Sequence, residues 1–276
     1  MLVLLPPSET KIAVPSEEQA ALGARFFDAE GDLPAETGEG GSETVVAARA
    51  AVLAALQELS RAGDEAAHKA LKLRPGGKAE AAFAANLAIG TPGSSPAALP
   101  AIVRYTGVLY DALGLGSLSP AALTWLARHV AIQSALFGLV SAASPLPDYR
   151  LSAGSRLPAL GQPLKRVWSA AYSDYDWCAH GFILDLRSND YAELAPVPAE
   201  CDSVKLLLAE RQADGSLRAL NHFNKAGKGD LVRRLASAEA EISSTSEFAA
   251  WCGANGLELL QDGSQFTLVT SFGASK

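Results

Sequence analysis

The amino-acid sequence predicts a mixed α/β fold: a single compact domain with a mixed sheet, antiparallel hairpins late in the chain and surrounding helices. A short apolar run at positions 1–5 ends in Pro6-Pro7 and is typical of a buried strand. Residues 42–61 repeat apolar side chains at helical spacing, and Asp214-Gly215 and Asp262-Gly263 separate pairs of apolar runs. We take residues 1–276 as one domain, with a possible sub-domain boundary in the Gly-, Ser- and Pro-rich loop 90–100.

The helices are predicted from apolar periodicity and from residues that cap helix ends. Ser42 precedes the clearest periodic segment and Gly63 follows it, which favours a helix start and stop at these positions. Ser119-Pro120 has the favoured order of cap and proline, and Ser244 with Glu247 forms a capping box. Further helices are predicted at 16–27, 64–73, 78–89, 163–172 with Trp168 facing inward, 228–241 and 246–254.

Strands are predicted where apolar runs are short. Residues 129–140 form a near-continuous apolar run of strand length, which predicts one central strand covered on both faces. A second buried strand is predicted at 181–186. The late hairpins are expected to pair 204–210 with 217–223, and 257–260 with 266–270.

Composition limits the classes of partner and the cellular location. A formal net charge of −7 would repel nucleic acid on average, so a non-specific DNA coat is disfavoured and DNA binding requires a local basic patch. The longest apolar stretch, 130–140, is too short for a membrane span, and the first apolar run is too short for a signal peptide. Cys178, Cys201 and Cys252 are widely spaced, which predicts inert thiols without a disulfide framework or zinc site, and a cytoplasmic protein.

The segment 220–235 is the strongest candidate for function. It carries Lys225, Lys228 and Arg233 close together, with Gly229 among them, and we expect a strand to give way there to a glycine turn and then a helix. Glycine lets the backbone approach a ligand, and the N–H groups at a helix start attract an anion. Polyanion binding is the leading interpretation, and a solvated basic face after a Gly-rich turn is the alternative.

Cations and hydroxyl groups also follow other predicted strands. The carboxyl ends of neighbouring parallel strands meet at one edge of a sheet, so these side chains are expected to converge on one basic cleft. Ser188 fits a helix cap at least as well as a ligand contact. The candidate DNA- or anion-binding residues are Ser8, Thr10, Lys11, Tyr149, Arg150, Arg156, Ser188, Tyr191, Lys225, Lys228, Gly229 and Arg233.

The sequence lacks the common catalytic motifs. It has neither the GxSxG of serine hydrolases nor the GxxxxGK[ST] of P-loop proteins. Its four histidines stand singly, so we expect no cofactor and no metal site, although distant histidines could still assemble one. No catalytic residue is assigned on these grounds.

Four segments, in order along nearly the whole chain, resemble the YaaA peroxide-stress protein family. They are the first strand ending in Pro-x-x-Thr-Lys, the run Ser134-Ala-Leu-Phe-Gly-Leu followed by Tyr149-Arg150-Leu151, the segment Leu186-Arg-Ser-Asn-Asp-Tyr191, and Lys225-Ala-Gly-Lys-Gly229. The resemblance implies a YaaA-like mixed α/β fold and a bacterial, cytosolic protein that limits oxidative damage by lowering free iron. It also implies DNA binding through a positively charged cleft and a helix-hairpin-helix element.

The chain departs from the family pattern mainly at charged positions. Pro7-Ser8-Glu9-Thr10-Lys11 resembles the family's Ser-Pro-Ala-Lys-Thr with lysine and threonine exchanged. Tyr105-Thr-Gly-Val-Leu-Tyr110 lacks the lysine and aspartate of Phe-Lys-Gly-Asp-Val-Tyr, and residues 140–144 lack the arginine and acid of Leu-Arg-Pro-Leu-Asp. Fewer cations in the cleft predict weaker DNA binding with a smaller salt dependence.

Two functional hypotheses follow. The first is a non-enzymatic stress protein that binds double-stranded DNA through Lys11, Arg150, Lys225, Lys228 and Arg233, with affinity that falls steeply with salt. The second is an enzyme that acts on a nucleotide or another small phosphorylated substrate in the same cleft, with Tyr149 or Asp190 available for proton transfer. The family resemblance favours the DNA-binding hypothesis, and the acidic net charge favours the enzyme hypothesis. A structural or scaffolding role is the weakest of the three hypotheses. We expect no membrane partner. The sequence does not indicate an oligomeric state.

Overall fold

The fold is built around a four-residue strand at the start of the chain. The computed structural model describes residues 1–27, 42–91, 98–212, 214–219, 223–263 and 265–269. The strands are β1 (Leu2–Leu5), β2 (Leu99–Pro100), β3 (Val130–Ser134), β4 (Gly138–Ser141), β5 (Pro145–Leu146), β6 (Ile183–Asp185), β7 (Ser203–Arg211), β8 (Leu217–Ala219), β9 (Glu258–Asp262) and β10 (Gln265–Val269).

The main sheet is mixed. Its strand order is β4-β3-β1-β6-β7-β10-β9, with β8 also paired to β7. The pairs β1/β3, β1/β6, β6/β7 and β7/β10 are parallel, whereas β3/β4, β7/β8 and β9/β10 are antiparallel. All four side chains of β1 are buried, as expected for an all-apolar strand covered on both faces. A separate antiparallel pair joins β2 to β5.

Helices connect the strands and pack around the sheet. None of the described helices combines the length and the apolar character needed to cross a membrane. The helices are α1 (Glu17–Phe27), α2 (Glu43–Ala62), α3 (Glu65–Ala70), α4 (Gly77–Ala88), α5 (Ala101–Arg104), α6 (Val108–Leu113), α7 (Pro120–His129), α8 (Leu164–Ala171), α9 (Asn189–Ala192), α10 (Phe223–Ser237) and α11 (Thr245–Ala254).

The predicted fold class is confirmed, and so are the clearest cap signals. The Ser42 hydroxyl accepts a hydrogen bond from the Val45 N–H at the start of α2, and Gly63 ends that helix with a φ of 55°. Ser119 caps α7 in the same way, and Trp168 on α8 is fully buried. The possible boundary at 90–100 falls largely on residues 92–97, which lie outside the described part of the chain, as do residues 220–222 of one predicted hairpin.

The prediction of one continuous strand over 129–140 is wrong. The run folds back on itself as the antiparallel hairpin of β3 and β4. The Ser134 hydroxyl accepts hydrogen bonds from the N–H groups of Leu136 and Phe137, at 3.1 and 3.0 Å, and so stabilises the turn between the strands. Gly138 leaves the turn with a φ of 75°, which favours glycine. The turn residues Ala135, Leu136 and Phe137 are apolar, and the first two are buried, so composition gave no sign of the turn.

The expected glycine turn before the helix at 228 is also wrong. Helix α10 begins at Phe223, so Gly229 lies inside it and packs against α6. A Cβ atom at Gly229 would lie 2.1 Å from the Leu109 carbonyl oxygen and 3.0 Å from the Ala112 Cβ. The glycine therefore permits a close approach of two helices, not a tight turn at a ligand.

The structure contradicts the expected absence of disulfides. Cys178 and Cys201 form a disulfide across 23 residues of sequence, with their Cα atoms 5.0 Å apart, whereas Cys252 is a free, buried thiol. Cys178 precedes β6 and Cys201 precedes β7, so the bond joins the amino ends of two neighbouring parallel strands. These ends meet in three dimensions although no short motif relates the cysteines in sequence.

We expect Gly229→Ala to lower the free energy of unfolding by about 3 kcal/mol, because the added methyl group forces α10 away from α6. The matched control is Gly253→Ala in α11, where a Cβ would meet no atom within 4 Å. That substitution should raise stability by about 0.5–1 kcal/mol through helix propensity. Urea unfolding measures both, and equal effects of the two substitutions would contradict the packing described here.

We expect the disulfide to contribute about 3 kcal/mol to stability, because it closes a loop of intermediate length in the unfolded chain. Reductant should lower the melting temperature of the wild type but leave that of Cys178→Ser unchanged. Cys178 is exposed, so serine fits at its position. A count of three reactive thiols in the oxidised, unfolded protein would contradict the disulfide.

Candidate ligand-binding site at the carboxyl edge of the sheet

Lys11 lies just beyond the carboxyl end of β1. Its backbone forms a bridge with Tyr105, and its ammonium group lies 4.2 Å from the centre of the Tyr149 ring and 5.4 Å from that of Tyr105. The Nζ atom donates one hydrogen bond of 3.2 Å to the Ser8 carbonyl oxygen. Burial lowers the pKa of Lys11 to about 7, although the charge of Asp148 acts in the opposite direction.

A chain of three hydroxyl groups lies beside this lysine. The Tyr149 hydroxyl is 2.7 Å from the Tyr105 hydroxyl and 2.7 Å from that of Ser134, at the carboxyl end of β3. Burial raises the pKa of Tyr149 to about 12 and that of Tyr105 well above its ordinary value, so both stay neutral at physiological pH. We call Lys11, Tyr105, Ser134 and Tyr149 the lysine–tyrosine cluster.

Arg150 borders the cluster but is already paired. It forms a 2.9 Å salt bridge with Glu9 and donates to the Leu71 carbonyl oxygen at 3.4 Å. The Asn86 side chain fixes the backbone here, since its oxygen accepts from the Arg150 N–H at 2.8 Å. Only 18% of the Arg150 side chain is exposed, so an anion could meet no more than one edge of the guanidinium group.

Other predicted residues complete this border. The hydroxyls of Ser8 and Thr10 are 3.1 Å apart, and that of Thr10 donates to the Thr106 carbonyl oxygen. The Tyr191 hydroxyl accepts a 3.4 Å hydrogen bond from the Ala153 N–H, and burial raises the pKa of Tyr191. Gly107 lies opposite, because a Cβ there would contact both hydroxyls at 3.4 Å.

Lys228 lies inside the protein at the end of β6. Its side chain is buried and donates a 2.8 Å hydrogen bond to the Leu186 carbonyl oxygen. Burial lowers the pKa of Lys228 to about 8. Next to it, Arg187 makes two hydrogen bonds of 2.9 and 2.8 Å to the buried carboxylate of Asp185. Both basic groups hold the end of β6 in place, and neither is exposed to a large polyanion.

The remaining predicted residues divide into an interface and an outer surface. Gly229 contacts α6, and Arg233 donates to the carbonyl oxygens of Leu113 and Gly114 at 3.0 and 2.9 Å, where it satisfies the end of that helix. Arg156, Ser188 and Lys225 have exposed side chains that, within the described residues, form no hydrogen bond or ion pair. Ser188 occupies the cap position of α9 without capping it through its side chain.

Sequence reasoning missed Tyr105, Ser134, Glu9 and Asp148 as members of the site. Tyr105 and Ser134 lie in segments that were compared with the family only as sequence patterns. Ser134 ends β3, the neighbour of β1, so a strand end supplied a weak signal for this residue, whereas Asp148 follows β5 of the separate small sheet. The pairing of Tyr105 with Lys11 spans more than ninety residues and could not be deduced from local pattern.

A cavity of about 390 Å³ lies next to the cluster. It is lined by Tyr105 and by Ile12, the neighbour of Lys11, and also by Tyr110 and Asp111. Tyr110 donates a 2.8 Å hydrogen bond to the Pro6 carbonyl oxygen, so its ring is fixed against the end of β1. The cavity offers space for a small organic group beside Tyr105, and Lys11 reaches this region only through its neighbour Ile12. In the described residues, no three His, Cys, Asp or Glu side chains group closely enough to hold a metal ion.

We expect stability to rise with pH between about 7 and 10 and to fall above about 10. The lowered pKa values of Lys11 and Lys228 mean that the unfolded chain binds more protons in the first range. Above it, the buried tyrosines keep their protons in the folded state only. Urea unfolding at constant ionic strength should show this maximum, and Lys11→Met should flatten the rise while Lys225→Met leaves it unchanged. A rise that persists in full in Lys11→Met/Lys228→Met would exclude the two lysines as its source.

Comparison with known proteins places the chain in one family. The family described as peroxide stress protein YaaA matches residues 1–260. A UPF0246 protein of Corynebacterium glutamicum is 37% identical over 264 residues, which cover 93% of this chain and 94% of the relative. A UPF0246 protein of Streptomyces coelicolor is 38% identical over 241 residues, which cover 85% of this chain and 82% of the relative. The chain therefore belongs to the YaaA peroxide-stress protein family.

Proposed function

We propose that this protein acts in the response to peroxide stress by binding a small phosphorylated ligand of the nucleotide class at the lysine–tyrosine cluster. The observation that carries the proposal is the state of Lys11. Its ammonium group is half-buried against two tyrosine rings and, among the described residues, has no carboxylate within ion-pair distance. Two of its three hydrogens are available to an incoming anion.

The surroundings suit an anion of limited size. A phosphate next to Lys11 would find the hydroxyls of Ser8 and Thr10 and one edge of Arg150 nearby. Interactions between charges are stronger in this partly buried place than at the surface. Binding would raise the pKa of Lys11 again, because the anion favours its charged form. Whether the ligand is also transformed, as in the enzyme hypothesis, depends on proton transfer by the nearby tyrosines.

Double-stranded DNA is the second candidate, and one observation favours it. Arg150 contacts the Leu71 carbonyl oxygen, and the Nζ of the exposed Lys72 lies 3.2 Å from where a Cβ of Gly154 would be. The exposed Lys72 therefore lies beside the segment that carries the exposed Arg156, two residues beyond Gly154. Lys228 and Arg233, by contrast, donate to carbonyl oxygens of the protein itself. The expected link to lower free iron stays a prediction that accompanies either ligand.

Thermal shift and fluorescence anisotropy distinguish the two ligands. We expect AMP, ADP or ATP to raise the melting temperature of the wild type, and Lys11→Met to weaken that affinity tenfold or more. A hydrogen bond to a charged group contributes about 1.5–3 kcal/mol, which corresponds to such a factor. The matched control is Arg156→Ala/Lys225→Ala, which removes two exposed cations and should leave nucleotide binding intact.

The same variants test the DNA hypothesis. Steeply salt-dependent binding of a labelled duplex, lost in Arg156→Ala/Lys225→Ala and kept in Lys11→Met, would replace the nucleotide proposal with DNA binding at the outer surface. If no nucleotide changes the melting temperature of the wild type, the small-ligand proposal is wrong.

A further inference from the structure

The surroundings of the Lys11 amine suit a chemical reaction as well as pairing with an anion. It lies over the face of Tyr149 with Tyr105 alongside, and a single hydrogen bond to Ser8 holds it. Asp148 and Glu9 favour its charged form from a distance, whereas Arg150 and Arg104 oppose it. The aromatic faces favour the ammonium form, but burial disfavours it more strongly, and no carboxylate lies within ion-pair distance among the described residues.

The hydroxyl chain beside it can donate in one direction from Ser134 to Tyr105. The Ser134 oxygen already accepts two backbone N–H groups, so its own hydrogen is left to donate to the Tyr149 oxygen. In this order Tyr149 donates to Tyr105, which is one of the two directions that their 2.7 Å contact allows. The hydrogen of the Tyr105 hydroxyl comes last in this order and meets no acceptor among the described residues. A ligand oxygen that arrives next to Tyr105 can therefore accept it.

We propose that Lys11 is a nucleophilic amine that forms an imine with an aldehyde or ketone group on an anionic small molecule. The proposal rests on the proposed function, because it uses the same site and adds a carbonyl group to the ligand. Tyr105, supported by Tyr149 and Ser134, supplies and recovers protons during the reaction. A carbonyl oxygen near Tyr105 and a carbonyl carbon near Lys11 satisfy both free groups of the cluster together.

The reaction balances without an oxidant or a reductant. The nitrogen lone pair forms a bond to the carbonyl carbon, and the carbonyl π electrons move to the oxygen, which takes a proton from Tyr105. The nitrogen loses a proton that restores the tyrosine chain. The C–O bond then breaks, the oxygen leaves as water with a second proton from the nitrogen, and a C=N bond remains.

The ionisation of Lys11 supports this chemistry. With its pKa lowered to about 7, roughly half of the amine is neutral and nucleophilic at neutral pH. An exposed lysine is neutral in well under one molecule per thousand at that pH. An anion that needed only a positive charge would be served as well by arginine, which stays protonated.

Reductive trapping tests the proposal on the full chain. Pyridoxal 5′-phosphate and glyoxylate serve as probes, each with borohydride or cyanoborohydride, and peptide mass spectrometry locates the modified lysines. At pH 7 we expect Lys11 to be modified at least tenfold faster than the exposed Lys225. The rate at Lys11 should reach half its maximum near pH 7. Modification of Lys11 by neither probe, or no faster than Lys225, would overturn the proposal.

Two variants separate a chemical role from a structural one. Lys11→Arg keeps the positive charge, so it should retain nucleotide binding but lose trapping. Tyr149→Phe keeps the aromatic face and interrupts the proton chain, so it should slow trapping about tenfold and change the pH profile. The melting temperature should fall by a few degrees, because two buried hydroxyls lose a partner. Unchanged trapping in Tyr149→Phe would remove the tyrosine chain from the mechanism.

The results also separate this inference from the proposed function. If nucleotides bind but Lys11 is not trapped, the proposed function is supported and the imine is excluded. Trapping at Lys11 without any nucleotide effect would support the imine and exclude nucleotides as the ligand.

Discussion

The burial of β1 on both faces is the constraint on which the rest of the structure depends. Its parallel partners β3 and β6 are equally buried, and their polar side chains, Gln133, Ser134 and Asp185, lie in the last two positions of each strand. Polar side chains collect where the strands end, and parallel pairing brings those ends together. For this reason polar residues mark the ends of three adjacent strands: Lys11 follows β1, Ser134 ends β3 and Arg187 follows β6. The candidate site is a direct result of how the core excludes polar groups.

Positive charge in this protein serves two different purposes. Lys228, Arg187 and Arg233 satisfy carbonyl or carboxylate oxygens inside the fold, where an unpaired oxygen would be costly. Lys11 differs because it rests on aromatic rings and keeps donors free. Proximity of cations in the sequence therefore does not indicate a common role. The cations of α10 are divided among the protein interior, a helix end and the outer surface.

Local signals in the sequence predicted much of the fold. Fold class, the caps at Ser42 and Ser119, and the inward-facing Trp168 follow from rules that act within a few residues. The wrong predictions share a different cause. The turn after Ser134 is stabilised by the hydroxyl of that residue. Gly229 is required by the close approach of a neighbouring helix, and the disulfide forms because β6 and β7 bring two loops together. The contact between Lys11 and Tyr105 belongs to the same class, because distant segments create it.

The long sequence separation between β1 and its two sheet partners affects how the protein folds. Val3 pairs with Val130, and Leu4 pairs with Asp185, so more than 120 residues separate β1 from either partner. Contacts over such long separations make folding slow, since the closure of large loops precedes any gain from pairing. Until then an apolar segment stays available to other chains and to chaperones. The strand at the centre of the finished sheet therefore depends on contacts that are distant in sequence.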